Sequence, residues 1–125
     1  MKKIYYGRAV YDHKEINAVL KVLKNNSLSL TDGKNVKQLE KIVCKMFGKK
    51  YGLMVNSGSS ANLLALSSFN FKKNSEIITP NLTFSTTVAP IYQLGLIPHF
   101  IGVEENKFLA NPSHIEKCIN KKTVA

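Results

Sequence analysis

The spacing of apolar positions changes once along the chain, near residue 51. Before that point apolar residues recur every three or four positions, which is the period of an amphipathic helix. The first predicted helix has Asp12 as N-cap and Glu15 reaching back in a capping box, and Asn25-Asn26 closes it. After a polar loop over 27–34, a second helix is predicted over about 36–47, ended by a left-handed Gly48.

From residue 51 onward, short apolar strands alternate with helical patterns. This alternation predicts an α/β fold with a mostly parallel sheet and flanking helices. It divides the chain into an amino-terminal helical segment, 1–50, and a first set of β-α units, 51–125. The predicted strands are 51–55, 76–79, 97–103 and 122–125, and the predicted helices are 60–71, 84–94 and 111–118. A chain that stops as its fourth strand begins is expected to be truncated.

Two of these helices carry specific expectations. The segment 60–71 has almost no polar face, so it is expected to be largely buried. The segment 84–94 contains Pro90, which is expected to kink or shorten it.

Length and composition are those of one ordinary globular unit. The chain has 125 residues, of which 44% are hydrophobic and 21% charged. It lacks an apolar run of the roughly 20 residues that span a bilayer, and it lacks a signal-peptide pattern, so a cytoplasmic protein without membrane contact is expected. Cys44 and Cys118 are expected to be free thiols, and the three histidines show no metal-ligand spacing.

The formal net charge of +10 leaves several partners open. The lysines are spread along the chain, mostly where helices end, which is typical of a solvated surface. Attraction of anionic, phosphate-bearing substrates is the second interpretation. A non-catalytic domain that binds anions or nucleic acid is a third, although the basic–aromatic interleaving of an RNA-binding sheet is missing.

The stretch 56–62 has the composition of a phosphate-binding turn. A predicted strand ends at Val55, and Gly58, Ser59 and Ser60 then open a helix. Small residues let backbone N–H groups approach an anion at the positive end of a helix dipole, and hydroxyls add donors. The spacing matches neither the Walker loop nor GxGxxG. A plain turn with Ser59 or Ser60 as N-cap explains the pattern equally well.

Phe84 lies in the polar turn that follows the next predicted strand. Loops after parallel strands meet at the carboxyl edge of a sheet, where ligands of α/β proteins bind. An aromatic ring there could stack on a flat ligand. Burial of Phe84 in the core is the alternative.

Three runs together resemble the sugar aminotransferases of the DegT–StrS family. They are VNSGSSANLLAL over 55–66, ITPNLTFSTTVAPI over 78–91 and GLIPHFI over 95–101. The resemblance covers nearly the whole chain, in order. It implies the amino-terminal portion of the large domain of a fold-type-I enzyme that uses pyridoxal 5'-phosphate, usually as a homodimer.

The resemblance also implies roles for particular residues. Ser59 and Ser60, with Gly58 beside them, would hold the cofactor phosphate, and Phe84 would stack on the pyridine ring. No catalytic residue is assigned within the chain, because the Schiff-base lysine and the carboxylate that holds the pyridine nitrogen are expected beyond Ala125. Where the family usually has an aspartate after the third strand, this chain has Gly102.

The activity implied by the resemblance is transamination of a nucleotide-linked keto-sugar with an amino-acid donor. The alternative within the family is a sugar 3-dehydrase, in which histidine replaces the lysine. The residue that separates the two reactions is expected outside this chain, which by itself is expected to be inactive.

Overall fold

The computed structural model describes residues 3–25, 30–31 and 33–125. These residues form two compact units, Met1–Met54 and Val55–Ala125, and each is considered by itself. The division predicted at residue 50 stays a prediction. The elements in chain order are α1 (His13–Asn25), α2 (Lys34–Met46), α3 (Gly58–Ser67), β1 (Glu76–Pro80), α4 (Ser85–Gln93), β2 (Ile97–Ile101) and α5 (Pro112–Cys118).

The capping box predicted for α1 is present. The Asp12 N–H donates to the Glu15 carboxylate at 2.8 Å, and the Asp12 carboxylate accepts from the Lys14 N–H at 2.7 Å. The first of these hydrogen bonds lowers the pKa of Glu15. The predicted closure at Asn26 and half of the predicted loop over 27–34 lie outside the described residues.

The strand predicted over 51–55 is wrong, because this segment packs against α2 instead of joining the sheet. The Met54 N–H donates to the Glu40 carboxylate at 2.7 Å. A Cβ at Gly52 would lie 2.7 Å from the Cys44 sulfur, so only glycine allows the segment to approach the helix so closely. A strand requires a neighbouring backbone, and no described residue pairs with 51–55. Gly48, with φ of +60°, ends α2 as predicted.

The sheet in the second unit is parallel, and the predicted α/β class is confirmed. β1 pairs with β2 from Glu76 opposite Ile97 to Pro80 opposite Ile101. On its other side β1 meets residues 122–125, through a parallel bridge at Thr123 and backbone hydrogen bonds between 76–78 and 122–125. β1 is therefore the central strand, and the fourth predicted strand is present as a bridge. The third predicted strand stops at Ile101, two residues early.

The core of the second unit lies between the sheet and its crossover helix. Ile77 of β1, Ile91 of α4 and Leu96 form the buried cluster, and the helix carrying Ile91 connects the two paired strands. Burial of these three side chains holds α4 against the sheet. It therefore also sets the position of the first turn of α4 relative to the strands.

The expectation that the helix over 60–71 is largely buried is wrong. α3 runs from Gly58 to Ser67 and has no buried residue. Its all-round apolar surface meets only α4 closely among the described elements, so one side of the helix is covered and Leu64 remains 49% exposed. The helix also ends before the predicted Phe71, because the Ser68 hydroxyl binds the Ala65 carbonyl and Asn70 turns with φ of +49°.

The remaining predictions for single residues divide as follows. Cys44 is buried and Cys118 half-buried, and both are free thiols as expected. Asn111 caps α5 through the Ser113 N–H at 2.9 Å, with Pro112 in the first turn.

Among the described residues, no helix is long and apolar enough to cross a membrane.

The Glu76 side chain of β1 contacts His99 of β2 on one side and Asn120, just before residues 122–125, on the other. Its carboxylate accepts from the Asn120 amide at 2.7 Å and lies 3.6 Å from the His99 ring nitrogen. The hydrogen bond from Asn120 is the main reason that the pKa of Glu76 is lowered, and His99 and Lys122 lower it further. The charged form is therefore the one that the fold prefers.

Glu76→Gln should alter the acid limb of the stability curve. A carboxylate with a lowered pKa stabilises the fold above its unfolded pKa, and this stabilisation is lost as the pH falls through the folded value. From about pH 5 downward, the free energy of unfolding should therefore fall more steeply in the wild type than in Glu76→Gln. Urea unfolding at several pH values measures both curves. Parallel curves between pH 6 and 3 would contradict the role given to Glu76.

Candidate functional site

Ser57, one residue earlier than the hydroxyls predicted as possible caps, starts α3. Its backbone is extended, with φ of −160° and ψ of 159°, and its hydroxyl accepts from the Ser60 N–H at 3.1 Å. Its carbonyl accepts from the Ala61 N–H at 3.0 Å. Ser57 is thus a side-chain N-cap, and the interpretation of Ser59 or Ser60 as the cap is wrong. The side chains of Ser59 and Ser60 do not cap the helix.

The first turn of α3 presents unused donors. Among the described residues, no acceptor binds the N–H groups of Gly58 and Ser59. The Ser60 hydroxyl accepts from the Ser57 hydroxyl at 3.1 Å, which leaves its own hydrogen free to donate. The space beside Gly58 is open, since a Cβ there would meet nothing within 4 Å. These donors lie at the positive end of the helix dipole.

A cavity of about 160 Å³ opens beside this turn, between α3 and α4. Ser59 and Ser60 form one wall, and Thr86 of α4 faces them across it. The other lining residues are Leu63, Ala89, Pro90 and Gln93. A lining that combines serine and threonine hydroxyls with apolar groups suits a small anion that is held at one end.

Phe84 is the N-cap residue of α4, two positions before Thr86. It is 68% exposed, so the alternative of a core phenylalanine is wrong. The ring does not line the cavity between the helices. The structure therefore brings Ser59 and Ser60 together at one cavity and places Phe84 at the start of the facing helix, with its ring available for stacking.

Two residues that the sequence did not single out connect these helices. The Asn62 side-chain amide donates to the Thr86 carbonyl at 3.4 Å, and this bond runs from α3 to α4. Pro90 lies inside α4 and the helix continues to Gln93 beyond it, so the predicted shortening is not seen. A proline frees the carbonyl four residues earlier, which here is that of Thr86. That rule is the signal in the sequence that could have identified Thr86.

None of the three histidines lines this cavity. His99 lies in β2 next to Glu76, and His13 lies next to Asp12 at the start of α1. Within the part of the chain that the structure describes, no three histidine, cysteine, aspartate or glutamate side chains converge to hold a metal ion. The chemistry available at the cavity is therefore that of hydrogen-bond donors and a helix dipole.

A family model matches residues 10–125, and its description is the DegT/DnrJ/EryC1/StrS aminotransferase family. The chain belongs to this family. Its resemblance to the family, carried by the runs 55–66, 78–91 and 95–101, is thereby confirmed.

Two individual relatives carry the name of a sugar 3-dehydratase. A GDP-4-keto-6-deoxy-D-mannose 3-dehydratase of Yersinia pseudotuberculosis is 34% identical over 94% of this chain and 31% of its own length. The structure of the E. coli GDP-4-keto-6-deoxy-D-mannose-3-dehydratase with bound hydrated PLP matches at 33% identity with a TM-score of 0.82, over 93% of this chain and 31% of that one.

A structure of lower identity supports the fold alone. The aminotransferase from Psychrobacter cryohalolentis has a TM-score of 0.81 and 24% identity, over 91% of this chain and 29% of its own. The present chain thus spans about a third of the length of the relatives it matches.

The residues at the start of α3 fit the phosphate end of pyridoxal phosphate. A phosphate requires several converging donors and a positive local potential. The free N–H groups of Gly58 and Ser59 and the hydroxyls of Ser59 and Ser60 supply both, at the edge of a cavity large enough for such a group. Phe84 is exposed for the flat face of a ring.

Substitution of Ser57 should test its role as the N-cap of α3 without removing the donors of Gly58 and Ser59. Ser57→Ala should lower the free energy of unfolding by about 1 kcal/mol, because the Ser60 N–H loses its acceptor. Ser57→Asp should keep most of that stability, since aspartate also caps helices. Urea unfolding measures both. Ser59→Ala is the control and should change stability by less than about 0.5 kcal/mol; an equal loss there would show that Ser57 is not the cap.

Proposed function

We propose that this chain forms the phosphate-binding part of a pyridoxal-phosphate-dependent enzyme that acts on a nucleotide-linked keto-sugar. The single observation that carries the proposal is the open first turn of α3, where the N–H groups of Gly58 and Ser59 have no described acceptor. Membership of the family supports the identity of the anion. The chain spans about a third of the length of its relatives, so the complete reaction would use further residues.

Each residue of the site has a separate role in this proposal. The N–H groups of Gly58 and Ser59 bind phosphate oxygens, and the hydroxyls of Ser59 and Ser60 add two donors at the positive end of α3. Phe84 holds the pyridine ring by stacking, so that it does not turn away from the substrate. Pyridoxal phosphate, when bound, supplies an aldehyde and an electron-withdrawing ring, which the side chains of proteins lack.

Two reactions fit this site, and we rank 3-dehydration first. Relatives above 30% identity include proteins named as sugar 3-dehydratases, from Yersinia and E. coli. Transamination is the second candidate, supported by the name of the family. In either case the partners are a nucleotide-sugar and an amino-acid donor, and the working form is a homodimer.

Removal of the two hydroxyls should weaken cofactor binding. Ser59→Ala combined with Ser60→Ala should raise the dissociation constant for pyridoxamine 5'-phosphate by about 10- to 100-fold, because hydrogen bonds to a charged group are lost. Ultraviolet absorbance or fluorescence titration of the purified protein measures this. Ser67→Ala, at the other end of α3, is the matched control and should bind normally.

Two outcomes would contradict the proposal. A wild-type protein that takes up neither pyridoxal nor pyridoxamine phosphate would refute it. Binding of nucleic acid that weakens steeply as salt rises, without cofactor binding, would instead support a basic binding domain.

The two candidate reactions differ in their products. We expect the complete protein that carries this chain, supplied with cofactor, glutamate and GDP-4-keto-6-deoxy-D-mannose, to give a sugar that has lost its 3-hydroxyl. Mass spectrometry distinguishes this product from an amino sugar. An amino sugar with the 3-hydroxyl retained would reverse the ranking and leave the cofactor site unchanged.

A further inference from the structure

One backbone hydrogen bond is missing inside α4, and a side chain of α3 replaces it. Pro90 has no N–H, so it cannot bind the Thr86 carbonyl one turn earlier. The Thr86 carbonyl thus lacks its usual partner within the helix, and it lies near the surface, since Thr86 is half-buried and Asn62 is exposed. The helix nevertheless continues past Pro90 to Gln93.

Asn62 of α3 supplies the missing donor. Its amide nitrogen lies 3.4 Å from the Thr86 carbonyl oxygen, which makes a long hydrogen bond between two helices. Asn62 lies two residues after Ser60, and Thr86 lies two residues after Phe84. The bond therefore joins the turn that carries the serine donors to the turn that carries the aromatic ring.

We propose that Asn62 is a positioning residue that sets the spacing between the phosphate-binding turn of α3 and the ring of Phe84. This inference rests on the proposed function, since it assigns the two turns to the two ends of one cofactor. This role of Asn62 depends on Pro90. A residue with an N–H at position 90 would bind the Thr86 carbonyl within α4 and leave Asn62 without a preferred partner.

The spacing matters only to a ligand that engages both turns. A ligand with a phosphate at one end and a ring at the other binds tightly when both contacts are prearranged, because less ordering remains to be done on binding. Inorganic phosphate uses the turn of α3 alone. A change in spacing should therefore weaken the first ligand and leave the second unchanged, which a general loss of structure would not do.

The test compares these two ligands in Asn62→Leu. Leucine branches at the same carbon as asparagine, favours helix and has no donor. We expect the dissociation constant for pyridoxamine 5'-phosphate to rise about three- to tenfold, as for the loss of one hydrogen bond. The constant for inorganic phosphate should stay within about twofold. Gln38→Leu is the matched control, since this exposed amide of α2 does not line the cavity and makes no hydrogen bond among the described residues.

A second measurement tests the link to Pro90 without any ligand. Pro90→Ala restores an N–H that can bind the Thr86 carbonyl within α4. Asn62→Leu should therefore lower the urea midpoint in the wild-type background and change it much less in the Pro90→Ala background. Equal shifts in both backgrounds would overturn the pairing of Asn62 with Pro90.

The binding results distinguish failure of this inference from failure of the proposed function. If the wild type binds pyridoxamine phosphate and Asn62→Leu weakens both ligands equally, or neither, only the positioning role is overturned. The same holds if the wild type binds pyridoxamine phosphate no more tightly than inorganic phosphate, since the ring end then contributes nothing. If the wild type binds neither ligand, the proposed function fails and this inference fails with it.

Discussion

The hydrogen bond from the Ser60 N–H to the Ser57 hydroxyl is the interaction on which the candidate site depends. It starts α3 at Gly58, and it uses one donor of the first turn while leaving those of Gly58 and Ser59 open. A helix that started two residues later, as the sequence predicts, would place Ser59 in the cap and lose this arrangement. The position of the cap thus decides which groups can meet an anion.

This turn and Phe84 lie at the starts of two helices, α3 and α4, that contact each other. The core of Ile77, Ile91 and Leu96 holds α4 on the parallel pair of strands, and α3 packs along α4. The contact between the helices is polar at one point, where Asn62 meets the carbonyl that Pro90 leaves free. The two ends of the candidate cofactor site therefore lie on two helices joined by packing and one hydrogen bond.

Local signals in the sequence predict much of this fold, while the tertiary environment decides the rest. The caps at Asp12 and Asn111 and the turn at Gly48 depend on neighbouring residues, and all three appear as predicted. The segment 51–55 is apolar like a strand, yet contacts with Glu40 and Cys44 hold it on α2, and a local pattern does not contain such contacts. The prediction that α3 is largely buried was wrong for the same reason, because its burial depends on tertiary contacts. Ser59, Ser60 and Phe84 are predicted by pattern and resemblance, whereas the contact of Asn62 is recognised only when its distance to Thr86 is known.

The most direct test of the central claim is to follow backbone amide resonances by nuclear magnetic resonance while pyridoxamine 5'-phosphate is added to the protein. The account predicts the largest shifts at the amides of Gly58 and Ser59, with a smaller shift at Ser60, whose N–H is already bound to Ser57. Shifts concentrated on the lysines of α2, with the first turn of α3 unchanged, would contradict it.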